Sequence, residues 1–356
     1  MKPIRSYLKK WFGAQKILGD STPLQGLAKA DALLLALVNQ NKVPGIGVTV
    51  LRQGEVLLQK GYGYANLETK TPVHPDKTLF RIASVSKPIA ATALAKMVAD
   101  KDIDLDASLY DYVPYFPKKE HDFTIRQLAG HTAGIRGYRG KEYALNMPYS
   151  IKEGITVFQE DALLFTPGTD YHYNSYDWAL ISLAMQEVSG IPFEEYVYDK
   201  VLQPLGIQHI YPELPETTLP HCASFYSKSQ FGFRKATAVN NFYKLAGGGY
   251  LATSKEVAQF GQAMLQGNLG DASVMQAFLT PGEVGGKSTY YGLGWQVSQD
   301  AKGRPYYGHV GNGVGGYANF FVYPEQDMVF SITMNCTNPN VQTQLDEIIH
   351  TVIESV

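Results

Sequence analysis

The sequence predicts an α/β fold of the α+β type: an antiparallel sheet flanked by helices and carrying a mostly helical inserted lobe. Three observations predict it. Strand signals come in consecutive runs joined by short turns, which suits antiparallel pairing rather than a parallel βαβ array. Amphipathic helical stripes stand before and after those runs. Between them, from Tyr110 to about Lys235, Pro114, Pro117, Pro148, Pro167, Pro192, Pro204, Pro212 and Pro215 break the chain into short helical stretches. Of the 356 residues, 45% are apolar and 18% charged, enough to build a core and too apolar for a disordered chain.

Residues 1–20 come first, as a basic leader. Ile4, Tyr7, Leu8, Trp11 and Phe12 recur at helical spacing, interleaved with Lys2, Arg5, Lys9, Lys10 and Lys16. Such a helix suits an anionic membrane surface, its own protein or a neighbouring subunit. No apolar stretch of signal-peptide length follows the basic residues. Compartment is left open: a native start at Met1 would keep the chain cytoplasmic, and a removed signal peptide would mean export.

Pro23–Asn39 reads as a helix, with Leu24, Leu27, Leu33, Leu34 and Val38 apolar. Strands follow at Gly45–Arg52 and Glu55–Tyr64, joined by the turn dipeptide Gln53-Gly54. Ser84–Ala99 reads as a buried helix, with Ile89, Ala90, Ala93, Leu94 and Met97 on one stripe. After the insertion, Thr253 and Ser254 are candidate caps for a helix running to about Gln266. Strands are expected at Gly292–Ser298, Arg304–His309, Gly316–Tyr323 and Met328–Met334, and an amphipathic helix at Gln342–Glu354. The chain thus divides into the leader 1–20, a sheet domain of 21–109 plus 236–356, and the insertion 110–235.

Composition also excludes functions. The formal net charge of −2 argues against a broad nucleic-acid-binding surface. Two cysteines, Cys222 and Cys336, cannot build a disulfide framework or a cysteine zinc site. They read as core thiols, with one disulfide as the alternative. No metal-ligand spacing, phosphate loop or Gly-x-Ser-x-Gly elbow occurs, and no cofactor is implied.

Ser84 and Lys87 form a Ser-x-x-Lys pair. On a helix, positions i and i+3 are neighbours. A serine at a helix N-terminus has its N–H where a developing oxyanion is favoured. The hydroxyl needs a base. A lysine with its ordinary pKa of ~10.4 is almost wholly charged at pH 7, so the role requires a shift of ~3 units, which burial in a cleft supplies. Taken alone, the pair reads equally well as a cap and a solvated lysine. Ser6-Tyr7-Leu8-Lys9 matches the same pattern by chance.

Beyond that tetrapeptide, ordered blocks run from about Pro44 to the end of the chain. They are Thr78–Lys87, Thr124–Ile135, Phe165-Thr166-Pro167-Gly168-Thr169, Ala246–Thr253 and Gly308-His309-Val310-Gly311. In these the chain resembles the serine β-lactamase-like and penicillin-binding superfamily of class C β-lactamases, D-Ala-D-Ala carboxypeptidases and related esterases. Tyr112–Pro117, Asn240–Gly249 and Tyr291–Trp295 look most like its mitochondrial branch in animals. The resemblance implies a β-lactamase/transpeptidase-like fold with Ser84 as nucleophile.

It also implies a tyrosine sharing proton transfer with the lysine, in a Tyr-x-Asn element. Tyr64-Ala65-Asn66 and Tyr317-Ala318-Asn319 match that pattern literally, but the family position falls at Tyr173-Asn174-Ser175. Ser175 there departs from the family pattern and offers one hydrogen-bond donor where asparagine offers two. The third element, His-x-Gly, falls at His309-Val310-Gly311. His309 is expected to polarise the pocket or bind a substrate carboxylate, and Val310 removes a hydroxyl. The backbone N–H of Asn312 is expected beside that of Ser84 as the second oxyanion donor. His131 and His172 read as structural.

The expected function is a serine hydrolase cleaving an amide or ester bond through an acyl-serine. A peptidase, including one for D-amino-acid peptides, is favoured over a carboxylesterase and a class C-like β-lactamase. A non-catalytic binding or self-assembling scaffold is the rival. Partners are then a peptide or small-molecule substrate, a homo-oligomer and, through residues 1–20, a membrane surface.

Overall fold

A computed structural model describes residues 24–214 and 219–356. The leader at 1–20 lies outside the described residues. Helix α1 (Gly26–Asn39) leads into strands β1 (Gly45–Arg52) and β2 (Glu55–Asn66), and the buried helix α2 covers Ser86–Ala99. The helical stretch that follows includes α3 (Tyr176–Ser189). Strand β3 (Tyr250–Ala252), helix α4 (Ser254–Leu265), strands β4 (Gln296–Gln299), β5 (Pro305–Gly313), β6 (Gly316–Tyr323) and β7 (Met328–Met334), and helix α5 (Gln342–Ile353) complete the frame.

Seven strands form one antiparallel sheet in the order β4-β5-β6-β7-β1-β2, ending on the short strand Thr71–Pro72. The first and last thirds of the chain therefore meet at the β1–β7 pair, with Val48 opposite Ile332. Strand β1 is buried on both faces because both are covered. On one side, Ala30 and Leu34 of α1 and Leu345, Ile349 and Val352 of α5 pack with Ile46, Val48, Phe330 and Ile332. On the other, Phe260 of α4 packs with Phe320, Val322 and Val329, and the larger core continues from there into α2 and α3. The Thr253 hydroxyl caps α4 by accepting from the Glu256 N–H at 3.2 Å.

Four local expectations change. Ser84 does not open the long helix: it sits in a 3-10 turn, Ala83–Val85, and α2 begins at Ser86. Gly292–Trp295 is a turn, with Gly294 at φ +81°, so β4 starts only at Gln296. Strand β5 runs past His309 to Gly313, carrying the whole third motif on extended backbone. Within 110–235, helical elements end at Leu202, and the strands at Ile210–Pro212, Tyr226–Ser229 and Gly232–Lys235 pair with Tyr250–Ala252, Cys336–Thr337 and each other. The cysteines are unbonded, with Cys222 exposed and Cys336 buried. Among the described residues no helix is long and apolar enough to cross a membrane.

Candidate active site

The Ser84 turn is held from three directions. The Ile82 N–H donates to the Tyr250 carbonyl of β3 at 3.2 Å. The Ser86 hydroxyl donates to the Ala83 carbonyl at 2.7 Å and accepts from the Tyr250 N–H at 3.2 Å. Strand β5 closes the third side. Ala83 has φ +47°, a left-handed conformation that L-residues adopt at a cost of about 1–3 kcal/mol. The turn leaves Ser84 half-buried among fully buried neighbours.

Three reactive side chains meet there. Lys87 Nζ lies 3.2 Å from Ser84 Oγ and 2.8 Å from the Tyr173 hydroxyl, and that hydroxyl donates to Ser84 Oγ at 2.8 Å. Lys87 also donates to the Gly247 carbonyl at 2.7 Å. Lys87 is fully buried, and this desolvation pushes its ammonium down to about 7. Asp177 works against the shift and Lys244 with it.

The partners fix what a neutral Lys87 can do. A neutral amine has two N–H donors and one lone pair. The Gly247 carbonyl can only accept, so it takes one N–H. The other N–H and the lone pair face the two hydroxyls, which makes a three-membered path for one proton. Tyr173 as a residue is 38% exposed, but its hydroxyl lies between Ser84 and Lys87. Burial holds its proton affinity above the ordinary tyrosine range, partly offset by the hydrogen bond to Ser84.

Other predicted residues fall around this triangle. Ser175 immediately precedes α3 and packs against Gly247, where an added Cβ would stand 3.0 Å from the Ser175 Cβ. Gly311 presses on the Ser84 turn: a Cβ there would stand 2.1 Å from the Ile82 carbonyl oxygen and 3.3 Å from the Ser84 nitrogen. Asn312 follows on β5, exposed and opposite Tyr317. Gly311→Ala is therefore expected to push β5 off the turn. Hydrolysis should fall about 10²–10³-fold, the range for losing an oxyanion donor, with a lower melting temperature. Steady-state rates beside thermal unfolding check this.

His309 is placed differently from the expectation. It is 1% exposed, its Nδ1–H donates to the Val310 carbonyl at 2.7 Å, and its Nε2 accepts from the Tyr291 hydroxyl at 3.0 Å. Burial, with Lys87 nearby, lowers its pKa to about 3. A neutral ring with both nitrogens engaged offers nothing to a substrate carboxylate. It braces Tyr291, whose ring packs against Tyr173 with centroids 5.8 Å apart.

Sequence reasoning missed a second layer. His131 Nδ1 and Asp177 Oδ2, both buried, are 2.7 Å apart. Asn174 Nδ2 donates to the same oxygen at 2.7 Å. The His131 and Tyr173 ring centroids are 4.7 Å apart. Lys244, 5% exposed, donates to the Tyr143 carbonyl at 3.0 Å and lies over the Tyr138 ring at 4.7 Å. The available signal was an acid at the head of the largely apolar run Trp178–Met185, on the first turn of α3.

A seven-stranded antiparallel sheet, with a Ser-x-x-Lys serine at the mouth of a buried helix, defines the β-lactamase/transpeptidase class of fold. The Beta-lactamase family profile matches residues 30–352, and the chain belongs to that family, whose members are serine hydrolases. It is 25% identical over 391 residues to the serine beta-lactamase-like protein LACTB, mitochondrial, of Homo sapiens, covering 83% of this chain and 71% of that one. It is 31% identical over 225 residues to a D-aminopeptidase of Gluconobacter oxydans (strain 621H), covering 61% of this chain and 41% of that one. The D-amino acid amidase of Ochrobactrum anthropi SV3, solved with D-phenylalanine, superposes with a TM-score of 0.80 at 20% identity, covering 92% of this chain and 98% of that one.

Proposed function

We propose that the protein is a serine hydrolase that cleaves amide or ester bonds through an acyl-Ser84 intermediate, with D-amino-acid peptides or amides as its preferred substrates. The observation that carries this reading is the triangle of Ser84, Lys87 and Tyr173, closed by contacts of 2.8–3.2 Å around a fully buried amine.

Ser84 Oγ attacks the substrate carbonyl, and its proton passes to neutral Lys87, directly or through Tyr173. The carbonyl oxygen becomes an oxyanion held by the backbone N–H groups of Ser84 and Asn312. The intermediate collapses, the bond to the leaving group breaks, and the leaving amine or alkoxide takes the proton back from the Lys87–Tyr173 pair. Water, deprotonated by the same pair, then attacks the acyl-serine and frees the acid and Ser84.

Substrate choice follows from what flanks the triangle. Ser175 offers fewer donors than asparagine to a β-lactam side chain, and Val310 offers no hydroxyl. The D-aminopeptidase and D-amino acid amidase relatives support D-aminoacyl amides. A panel of D- and L-aminoacyl p-nitroanilides, p-nitrophenyl esters and a chromogenic β-lactam tests this. D-aminoacyl anilides are expected to exceed their L counterparts by at least about tenfold, with the β-lactam turned over most slowly. Preference for the β-lactam would overturn the substrate assignment, and turnover confined to esters would make the protein an esterase.

A further inference from the structure

Of the three groups in the triangle, only Tyr173 stands on no helix, turn or strand: it belongs to the irregular segment 170–175 before α3. Its hydroxyl lies 2.8 Å from both Ser84 Oγ and Lys87 Nζ, yet the residue is 38% exposed. Its packing partners are other rings. His131 is the nearest, with centroids 4.7 Å apart and planes at 63°, followed by Tyr291 and His309, each at 5.8 Å. His131 also reaches Tyr291, at 4.9 Å, and its carbonyl accepts the His172 N–H at 2.9 Å.

His131 is itself locked. It is 1% exposed, and its Nδ1 lies 2.7 Å from Asp177 Oδ2. Asp177 is held in turn by Asn174, whose Oδ1 accepts the Asp177 backbone N–H at 2.8 Å and whose Nδ2 donates to Oδ2 at 2.7 Å. Asn174 is tied to the Ile135 and His172 carbonyls, at 3.1 and 3.0 Å. The imidazole therefore has a fixed carboxyl group at Nδ1 and the rings of Tyr171, Tyr173 and Tyr291 as neighbours.

The contacts also fix where the hydrogens sit. Asp177 Oδ1 and His131 Nε2 are buried without a hydrogen-bond partner among the described residues. A carboxylate with a bare oxygen in such a place is costly, and burial drives both the acid and the imidazole towards their neutral forms. In the neutral pair the Asp177 Oδ2–H donates to His131 Nδ1, and Oδ2 still accepts from Asn174 through a lone pair. The imidazole hydrogen is then on Nε2. An N–H among tyrosine rings can be received by a π face, which a nitrogen lone pair cannot.

We propose that His131 is the positioning residue of Tyr173: an imidazole locked by Asp177 whose ring backs the phenol and keeps its hydroxyl between Ser84 and Lys87. This rests on the roles given above to Ser84, Lys87 and Tyr173. His131 touches neither Ser84 nor Lys87, so it acts through Tyr173 alone. Without the imidazole a void opens beside the phenol, and the hydroxyl loses its fixed place. A displacement of about 1 Å in a reacting group can cost about 10²-fold in rate.

The test is a double-mutant cycle on the full chain, read as the rate of covalent labelling of Ser84 by a fluorophosphonate probe, with thermal unfolding of each variant. His131→Asn deletes the ring and suits the φ of +61° at that position. Tyr173→Phe keeps the ring but removes the hydroxyl. Lys87 still stands 3.2 Å from Ser84 in that variant, so labelling is expected to slow by about 10²-fold and stay measurable. His131→Asn is expected to slow labelling about 10–10²-fold when Tyr173 is present, and by less than about twofold in the Tyr173→Phe background. A merely structural role would slow both backgrounds equally, and that outcome overturns the proposal, as does an unslowed, folded His131→Asn. If His131→Asn does not fold, Asp177→Leu takes its place in the cycle. Leucine fills the same space, Asn174 keeps its two carbonyl acceptors, and His131 loses only the lock on its ring. The same dependence on Tyr173 is expected there, with a smaller loss, and equal losses in both backgrounds overturn the proposal. Wild-type labelling in Tyr173→Phe or in Ser84→Ala would instead overturn the reading beneath it.

Discussion

Ser84→Ala is expected to abolish both turnover and covalent labelling while the protein stays folded. In a unit of nucleophile and base, losing the nucleophile removes most of the chemical acceleration, so hydrolysis should drop by at least about 10⁴-fold. The fold should tolerate the change. Ser84 is half-buried, its hydroxyl bonds only with the Lys87 amine and the Tyr173 hydroxyl, and the turn is held by Ile82, Ser86 and Tyr250 instead. Intact-protein mass spectrometry after the fluorophosphonate, beside thermal unfolding, checks both halves. Labelling that persists at wild-type stoichiometry would remove Ser84 from the mechanism and favour a binding scaffold.

The second large effect is at Lys87, where activity and stability should move in opposite directions. Lys87→Met removes the base, and acylation should fall about 10²–10⁴-fold, the usual worth of a positioned proton acceptor. Stability should rise. The folded-state pKa of Lys87 is about 7, below its ordinary value of 10.5. Between those two values the unfolded chain binds a proton that the folded chain does not, so wild-type stability climbs with pH across that window. Below about pH 7 the folded protein carries a buried ammonium and the penalty is present in full. Methionine has no such penalty, so its gain in melting temperature should be largest below pH 7 and fade towards pH 10. Melting curves at several pH values test this, and a methionine variant less stable at every pH would mean that the hydrogen bonds to Gly247, Tyr173 and Ser84 outweigh the burial of the amine.

Much of this architecture was legible in the residues because it is local. The Gln53-Gly54 turn between two β-rich runs gave the first hairpin, and the observed strands, Gly45–Arg52 and Glu55–Asn66, lie where the pattern put them. Thr253 caps its helix as read. The misreadings are local too. An apolar run at Gly292–Trp295 looks like a strand, yet Gly294 at φ +81° turns it, and an added Cβ there would stand 2.5 Å from the Trp178 ring. The pattern around Ser84 reads as the first turn of a helix because propensity does not register the positive φ of Ala83.

By itself, the sequence determined the antiparallel hairpins, the helices that cover them, and one pairing in the site: a serine and a lysine three residues apart, which any helical turn brings to one side. Only the tertiary structure decided what those two can do. The Gly247 carbonyl that orients the amine is 160 residues from Lys87, Tyr173 is 86 away, and the His131–Asp177 contact spans 46. Periodicity describes neighbours along one element and says nothing about which elements later enclose it. The drop in the Lys87 pKa depends on that enclosure, because it comes from water being excluded by chain segments that meet only on folding.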